Sequence, residues 1–242
     1  GPRPAGASVI DHHGAALFAI GILAAVVRRM RTGQGCRVDA SLMQAALDLQ
    51  AEPLVAWMNA PKKPETIMSV GKMAGWYFAA PYGVYATKDA HMALSLSPLA
   101  LIAEALDEPG LAAFGEEDTW TKREEITALI AARLAERTTA EWTARMEPLK
   151  IWHAPVQDYA AIVDDPQVKH MNALVTVPGG GPGHAPVSLV NHAVLYDGRS
   201  AEVRLPPQPL GAQTAEVLAE LGLSHSEIAT LVENGTVKVA AN

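Results

Sequence analysis

The chain has 242 residues, enough for one large domain or two small domains with a buried core. Apolar residues make up 49% of it and aromatic residues only 5%, a composition typical of a helix-rich globular protein. The net charge of −7 argues against binding to a phosphate backbone, so no nucleic acid is expected as a partner. A single cysteine excludes an internal disulfide framework and favours a reducing, cytoplasmic location.

The first predicted element is a long helix over residues 11–31, ended by Gly33 in the position that glycine favours at helix ends. Its apolar run, residues 15–27, is shorter than the ~20 residues that a membrane span needs. The sequence therefore predicts a buried helix, with its apolar side packed inside, and no membrane partner.

The next elements are a short strand starting at Val38 and a second long helix over residues 41–59, stopped by Pro61. Residues 60–76 hold prolines and glycines and are predicted to form a loop. Apolar and polar residues alternate on both sides of residues 87–90, which predicts a β-hairpin.

Helices dominate the rest of the chain, and short strands are predicted near Ala154, Val194 and Val203. Three pairs have the spacing of a capping box and predict helix starts: Thr121 with Glu124, Thr138 with Glu141, and Ser224 with Glu227. The sequence thus predicts a globular protein in which helices alternate with a few short strands.

Short motifs follow one another from one end of the chain to the other. They are PAGASVID at 4–11, GILAA at 21–25, RTGQG at 31–35, VDASL at 38–42, APYGVY at 80–85, HAPV at 153–156, DPQ at 165–167 and PLG at 209–211. In this order they resemble the class III CoA-transferases, the family that includes formyl-CoA and carnitine CoA-transferases and α-methylacyl-CoA racemases. The RTGQG and VD motifs, at their distance from Asp11, are the specific part of the resemblance.

The resemblance implies an α/β fold with a large Rossmann-like domain, only partly present here, a smaller α+β domain, and an interlocked homodimer. Residues 1–60 and 165–242 would belong to the large domain, residues 76–164 would form the small one, and residues 61–75 would link them. Members of the family are considerably longer, so their N-terminal half would precede Gly1, and the chain is expected to be a fragment or one half of a split enzyme.

Asp11 is the candidate catalytic residue. From the residues alone it is a carboxylate at a helix start, where unpaired N–H groups and the helix dipole favour negative charge. The resemblance implies that it is the nucleophile that accepts CoA from an acyl-CoA and passes it to a carboxylic acid. Two alternatives stay open: an α-methylacyl-CoA racemase in which Asp11 is an acid/base, and a catalytically incomplete subunit that binds a partner chain.

Four other residues are weaker candidates for contacts with CoA. Arg31 and Arg37 are candidates to bind its phosphates, although a solvated helix end is the favoured explanation of both. Gly71 and Gly75 fall where the resemblance implies a glycine loop over the active site, and an ordinary linker is the alternative.

No metal site or permanently bound cofactor is predicted, and coenzyme A or acyl-CoA enters only as substrate. His12 and His13 are adjacent, so they point about 100° apart on a helix and cannot chelate one metal ion together. Cys36 is expected to be buried packing rather than a nucleophile.

Overall fold

The structure is a computed structural model that describes residues 5–60, 75–179 and 185–240. The chain divides into two compact units, residues 1–156 and 157–242. The elements of the first unit are α1 (Val9–Thr32), α2 (Leu42–Leu49), α3 (Ala51–Asn59), β1 (Gly83–Ala86), β2 (His91–Leu94), α4 (Leu99–Leu106), a 3-10 helix (Pro109–Ala113), α5 (Asp118–Thr121), α6 (Arg123–Leu134), α7 (Thr139–Met146) and β3 (His153–Pro155).

Helix α1 has 24 residues and ends as the sequence predicts, because Gly33 adopts a φ of 71° and donates its N–H to the carbonyl of Arg29. The expectation of a packed apolar side is wrong for this chain by itself, since no residue of α1 is buried. By length and composition α1 could cross a membrane, so the shorter apolar run counted from the sequence does not exclude a span.

After Gly33 the chain turns back along α1 as an extended segment without strand pairing, so the strand predicted at Val38 is not formed. Two glycines of α1 make the approach close. A Cβ on Gly14 would lie 3.3 Å from the Cβ of Ala45, and one on Gly21 would lie 3.1 Å from Cγ1 of Val38. Small residues therefore set the distance between α1 and the segment that follows it.

The second long helix is not continuous, because it breaks at Gln50 into α2 and α3. Pro53 explains the break: proline has no N–H to donate, and its ring collides with the carbonyl of the residue four positions earlier in a continuous helix. Ser41 caps the start of α2 by accepting the N–H of Gln44 at 3.2 Å.

The core of the first unit lies between a small sheet and three helices. Strands β1, β2 and β3 pair antiparallel in that order, which confirms the predicted hairpin and the strand near Ala154. Helices α4, α6 and α7 cover one face of this sheet, and the largest fully buried side chain, Trp142, donates its indole N–H to the carbonyl of Leu134 at 2.9 Å. Burial raises the pKa of Tyr85, on β1 in this core, to about 12.

Two of the three predicted capping boxes are formed, at Thr138 and at Ser224. The pair of Thr121 and Glu124 is not one. Thr121 is the last residue of α5, and its hydroxyl donates to the carbonyl of Glu117. The next helix, α6, begins one residue later than that pairing requires.

The second unit is built from short elements. They are α8 (Tyr159–Asp164), α9 (Pro166–His170), β4 (Leu174–Val177), β5 (Val187–Val190), β6 (Leu195–Tyr196), β7 (Arg199–Ser200), α10 (Thr214–Glu220) and α11 (His225–Glu233). Strands β4 and β5 form one antiparallel pair, and β6 and β7 another. The strand predicted near Val194 is present as β6, but Val203 lies in an irregular segment.

The mixture of helices and sheets confirms the α/β class. In the three described stretches every strand pairing is antiparallel, so a parallel Rossmann-like sheet is not among them. The assignment of residues 1–60 and 165–242 to one large domain, of 61–75 to a linker and of 76–164 to a small domain stays a prediction.

Candidate functional site

Asp11 lies in the first turn of α1, as its third residue, and its side chain is exposed. Residues 5–60 contain two other aspartates, and both are engaged: Asp39 pairs with Arg37, and Asp48 pairs with His13. Within the described residues the carboxylate of Asp11 has no hydrogen-bond or ion-pair partner. Asp11 is therefore the aspartate of this segment that is free to meet a ligand.

The first turn of α1 suits a group that carries negative charge. The first N–H groups of an α-helix have no partner within the helix, and the dipole of a long helix favours an anion there by about 0.3–1 kcal/mol. Ser8, which precedes α1, makes no side-chain cap, so its hydroxyl does not compete for those N–H groups. A carboxylate in this place can act as a nucleophile or as a base.

His13 ties this end of α1 to α2. Its Nε2 lies 2.7 Å from Oδ2 of Asp48, and its side chain is half-buried, whereas His12 is exposed. Sequence reasoning missed this pair, because the two residues are 35 positions apart and neither forms a recognisable motif with its neighbours.

The two arginines predicted to bind CoA phosphates are not brought to Asp11. Arg31 lies in the last turn of α1, roughly 30 Å along the helix from Asp11 at a rise of 1.5 Å per residue. Arg37 follows the turn, and its guanidinium is held by Asp39, with Nε 2.9 Å from Oδ1. A ligand that touched both Asp11 and Arg31 would have to be long.

Gly75 lines an open, mostly apolar cavity of about 800 Å³ beside α2 and α3, and Gly71 lies outside the described residues. Trp57, Trp76 and Tyr77 contribute aromatic surface to this cavity. The Tyr77 hydroxyl donates to Oε2 of Glu52 at 3.3 Å, and burial and this carboxylate raise the pKa of Tyr77. The cavity is large enough for an acyl group, with one carboxylate at its wall.

Cys36 is exposed, which corrects the expectation that it packs in the interior. Among the described residues no three or more histidine, cysteine, aspartate or glutamate side chains form a group that could hold a metal ion.

The model of CoA-transferase family III matches residues 1–214 of this chain. A succinyl-CoA:mesaconate CoA-transferase of Haloarcula marismortui is 31% identical over 74% of this chain and 45% of its own length. A 2-methylfumaryl-CoA isomerase of Chloroflexus aurantiacus is 29% identical over 91% of this chain and 57% of its own length. The chain thus spans about half the length of the curated relatives it matches.

The fold is similar to that of a solved structure, Rv3272 from M. tuberculosis. The TM-score is 0.71 at 20% sequence identity, over 89% of this chain and 57% of the solved one. At this identity the likeness concerns the fold alone. The motifs that carry the resemblance, the match of the family model over most of the chain and the shared fold agree, and the chain belongs to CoA-transferase family III.

Proposed function

We propose that the protein transfers coenzyme A from an acyl-CoA to a carboxylic acid, and that Asp11 carries the CoA between them. The observation that supports this proposal is the unpaired, exposed carboxylate of Asp11 in the first turn of a 24-residue helix. Membership of the family and the transferase among the relatives agree with it.

In the proposed reaction a carboxylate oxygen of Asp11 attacks the thioester carbonyl and the C–S bond breaks. The products are an aspartyl-acyl anhydride and CoA thiolate. The thiolate then attacks the aspartyl carbonyl, which releases the donor acid as a carboxylate and leaves an aspartyl-CoA thioester. The acceptor carboxylate attacks that thioester to form a second anhydride, and the freed thiolate takes the new acyl group and restores Asp11.

Each of the four attacks places charge on a carbonyl oxygen, twice on the oxygen of the Asp11 carbonyl and twice on that of an acyl group. The first turn of α1 has N–H groups without a partner inside the helix, and groups of this kind can stabilise an oxyanion. We propose that they stabilise it, so that the start of the helix serves both the resting carboxylate and the tetrahedral species. The proposed contacts with CoA remain Arg31, Arg37, Gly71 and Gly75. Arg37 would have to break its ion pair with Asp39 before it could bind CoA.

A second candidate is isomerisation of an acyl-CoA, which the isomerase among the relatives favours. In that case Asp11 would exchange a proton with the carbon next to the thioester, together with another acid/base group, as the racemase alternative requires. No covalent link to Asp11 would form.

The helices around Asp11 also support a proposal about assembly. Large apolar side chains of α1, α2 and α3 are exposed: Ile20, Leu23, Met30, Leu42, Met43 and Trp57. An apolar surface of this extent marks a contact with protein or lipid. Because α1 already packs on α2 through Gly14, we propose that protein covers it, either a second copy or the half that relatives carry and this chain lacks, and that the assembly is cytoplasmic. The third alternative, an incomplete subunit, is the case in which this chain is inactive until that half is added.

The deciding experiment uses the assembled enzyme, with any N-terminal partner supplied, and the variant Asp11→Asn. The amide is nearly isosteric, so the fold should be kept, and transfer should fall by several powers of ten because the nucleophile is gone. Glu104→Gln, the same change from carboxylate to amide at an exposed residue of α4, is the control and should keep transfer activity.

Trapping separates the two reactions. With acyl-CoA and hydroxylamine, a transferase gives a mass change on the peptide that contains Asp11. An isomerase gives none and instead exchanges the proton next to the thioester with deuterated solvent. Full transfer activity in Asp11→Asn would overturn the role of Asp11, and inactivity of this chain until an N-terminal half is added would identify an incomplete subunit.

A further inference from the structure

The second unit contains a cavity of about 680 Å³ that the proposed reaction does not use. It lies between the end of α9, the ends of β4 and β5, and the hairpin of β6 and β7. Its ionisable lining residues are His170, His192 and Arg199, and none of its lining residues is an aspartate or glutamate. In a chain of net charge −7, a cavity wall with cationic groups and no carboxylate is a place for an anion.

The walls of this cavity are fixed by hydrogen bonds from Asn191. Its backbone N–H donates to the carbonyl of Ala173 at 2.8 Å, and its side-chain amide donates to the carbonyl of Asn172 at 2.9 Å. These bonds hold the end of the β4–β5 pair against the residues that follow α9. They also occupy carbonyl oxygens that would otherwise repel an anion.

The ring of His192 is held from two sides. Nδ1 lies 2.8 Å from the carbonyl oxygen of Val194 and 3.2 Å from its backbone nitrogen, and the ring lies 6.0 Å from that of Tyr196, centre to centre. The Ser200 hydroxyl donates to the carbonyl of His192 at 3.2 Å. With Nδ1 engaged, Nε2 is the ring nitrogen left for a ligand, and protonation would make it a donor.

Arg199 completes the set, because its guanidinium has no hydrogen-bond or ion-pair partner within the described residues. Three arginines of the first unit are different: Arg123, Arg133 and Arg145 each donate to a backbone carbonyl. An unpaired guanidinium offers a planar fork of N–H donors, which matches two oxygens of a phosphate group.

We propose that this cavity binds a phosphate group, through Arg199 together with His170 and His192. The guanidinium carries a permanent positive charge, and each imidazole can offer an N–H donor to a phosphate oxygen. The group could belong to free phosphate or to a phosphate ester such as the one on the ribose of CoA. The proposal does not depend on Asp11 or on the transfer reaction.

The test is a titration of the full chain with inorganic phosphate at constant ionic strength, followed by the NMR signals of the histidine rings. Saturable shifts of His170 and His192 with one dissociation constant are expected. Arg199→Gln should raise that constant on the order of tenfold, because a charge-assisted fork is lost. Arg204→Gln is the matched control: it removes a nearby arginine of the same unit that does not line the cavity.

Further titrations identify the source of the phosphate and can refute the site. If CoA binds more tightly than its dephospho form, which lacks only the 3′-phosphate, the group that the cavity binds is that phosphate ester. If the two forms bind equally, the ligand is free phosphate. Shifts that do not saturate, an equal response of Arg199→Gln and Arg204→Gln, or tighter binding of succinate than of phosphate would each overturn the proposal. Far-UV circular dichroism of Arg199→Gln shows whether the variant is folded, and Asp11→Asn should bind phosphate unchanged.

Discussion

Nε2 of His13 and Oδ2 of Asp48 are 2.7 Å apart, and this contact joins the second turn of α1 to the last turn of α2. The two side chains are partly exposed, so solvent screens their attraction, and the pair matters more for the orientation of the helices than for total stability. Among the described residues it is also the side-chain polar contact closest along the chain to Asp11.

We predict that His13→Asn and Asp48→Asn each lower the free energy of unfolding by about 0.2–1 kcal/mol, the range of partly exposed ion pairs. The double variant should lose less than the sum, because one contact is removed only once. Urea denaturation of the wild type and the three variants measures this, with His12→Asn as the control at an exposed neighbour. Full additivity of the two single changes would show that the contact contributes nothing.

A second prediction concerns the close approach at Gly14. Gly14→Val should destabilise the protein by about 1–3 kcal/mol, because the added methyl groups would press on Ala45, 3.3 Å from the first new carbon. Gly35→Val is the matched control, since nothing lies within 4 Å of a Cβ there and its φ is not positive. The difference in urea midpoint between the two variants is the measurement, and similar midpoints would contradict the packing described here.

A third prediction is a pH dependence at Asp89. Its carboxylate accepts the N–H of Thr139 at 2.8 Å and the hydroxyls of Thr139 and Thr87 at 3.1 Å, and the backbone bond from Thr139 is the main cause of its lowered pKa. A carboxyl group whose pKa is lower in the folded state contributes stability above its unfolded value, near 3.8, and loses it as the pH falls through the folded value.

The fall in stability of the wild type between pH 5 and pH 3 should therefore be steeper than that of Asp89→Asn, where pH 5 and pH 3 are chosen as roughly one unit either side of the ordinary aspartate pKa. The asparagine oxygen can still accept the Thr139 N–H, so the fold should survive. Urea midpoints at the two pH values give the comparison, and parallel curves for the two proteins would refute the role of Asp89.

A fourth prediction distinguishes two reasons why a position requires glycine: a left-handed backbone conformation and a lack of space for a Cβ. Gly211 has a φ of 86°, and a Cβ there would lie 2.8 Å from the carbonyl oxygen of Lys238, whereas Gly198 has a φ of 77° with nothing within 4 Å. Gly198→Ala should lose about 1–2 kcal/mol, the strain of a left-handed residue. Gly211→Ala should lose clearly more, because backbone must also move; thermal unfolding of both variants tests the order.

The sequence was a good guide where a local signal decides the structure. The αL glycine after α1, the hairpin around residues 87–90 and the capping boxes at Thr138 and Ser224 rest on contacts within a few residues. The family could also be recognised, because its motifs are short and keep their order. Asp11 at a helix start follows from the same local reasoning.

The parts that could not be predicted depend on contacts distant in sequence or on competing local effects. The helix after Ser41 looks continuous by apolar spacing, but it breaks at Gln50 because of Pro53, three residues further on. Whether the apolar side of α1 is exposed depends on which other parts of the protein pack against the helix. The sequence of α1 by itself does not specify them. The cavity around Arg199 joins elements that carry no shared motif.

The two glycines of α1 have a consequence for Asp11 itself. Gly14 meets Ala45 and Gly21 meets Val38. The two contacts are therefore seven residues apart along α1 and also seven residues apart along the segment that packs against it. Seven residues are close to two helical turns, which keeps both glycines on one side of α1. One residue inserted between them would turn the start of the helix by about 100° about its axis while Gly21 stayed in place. The direction in which Asp11 points is thus encoded by a count of residues along α1, since among the described residues no hydrogen bond or ion pair of its own side chain holds it there.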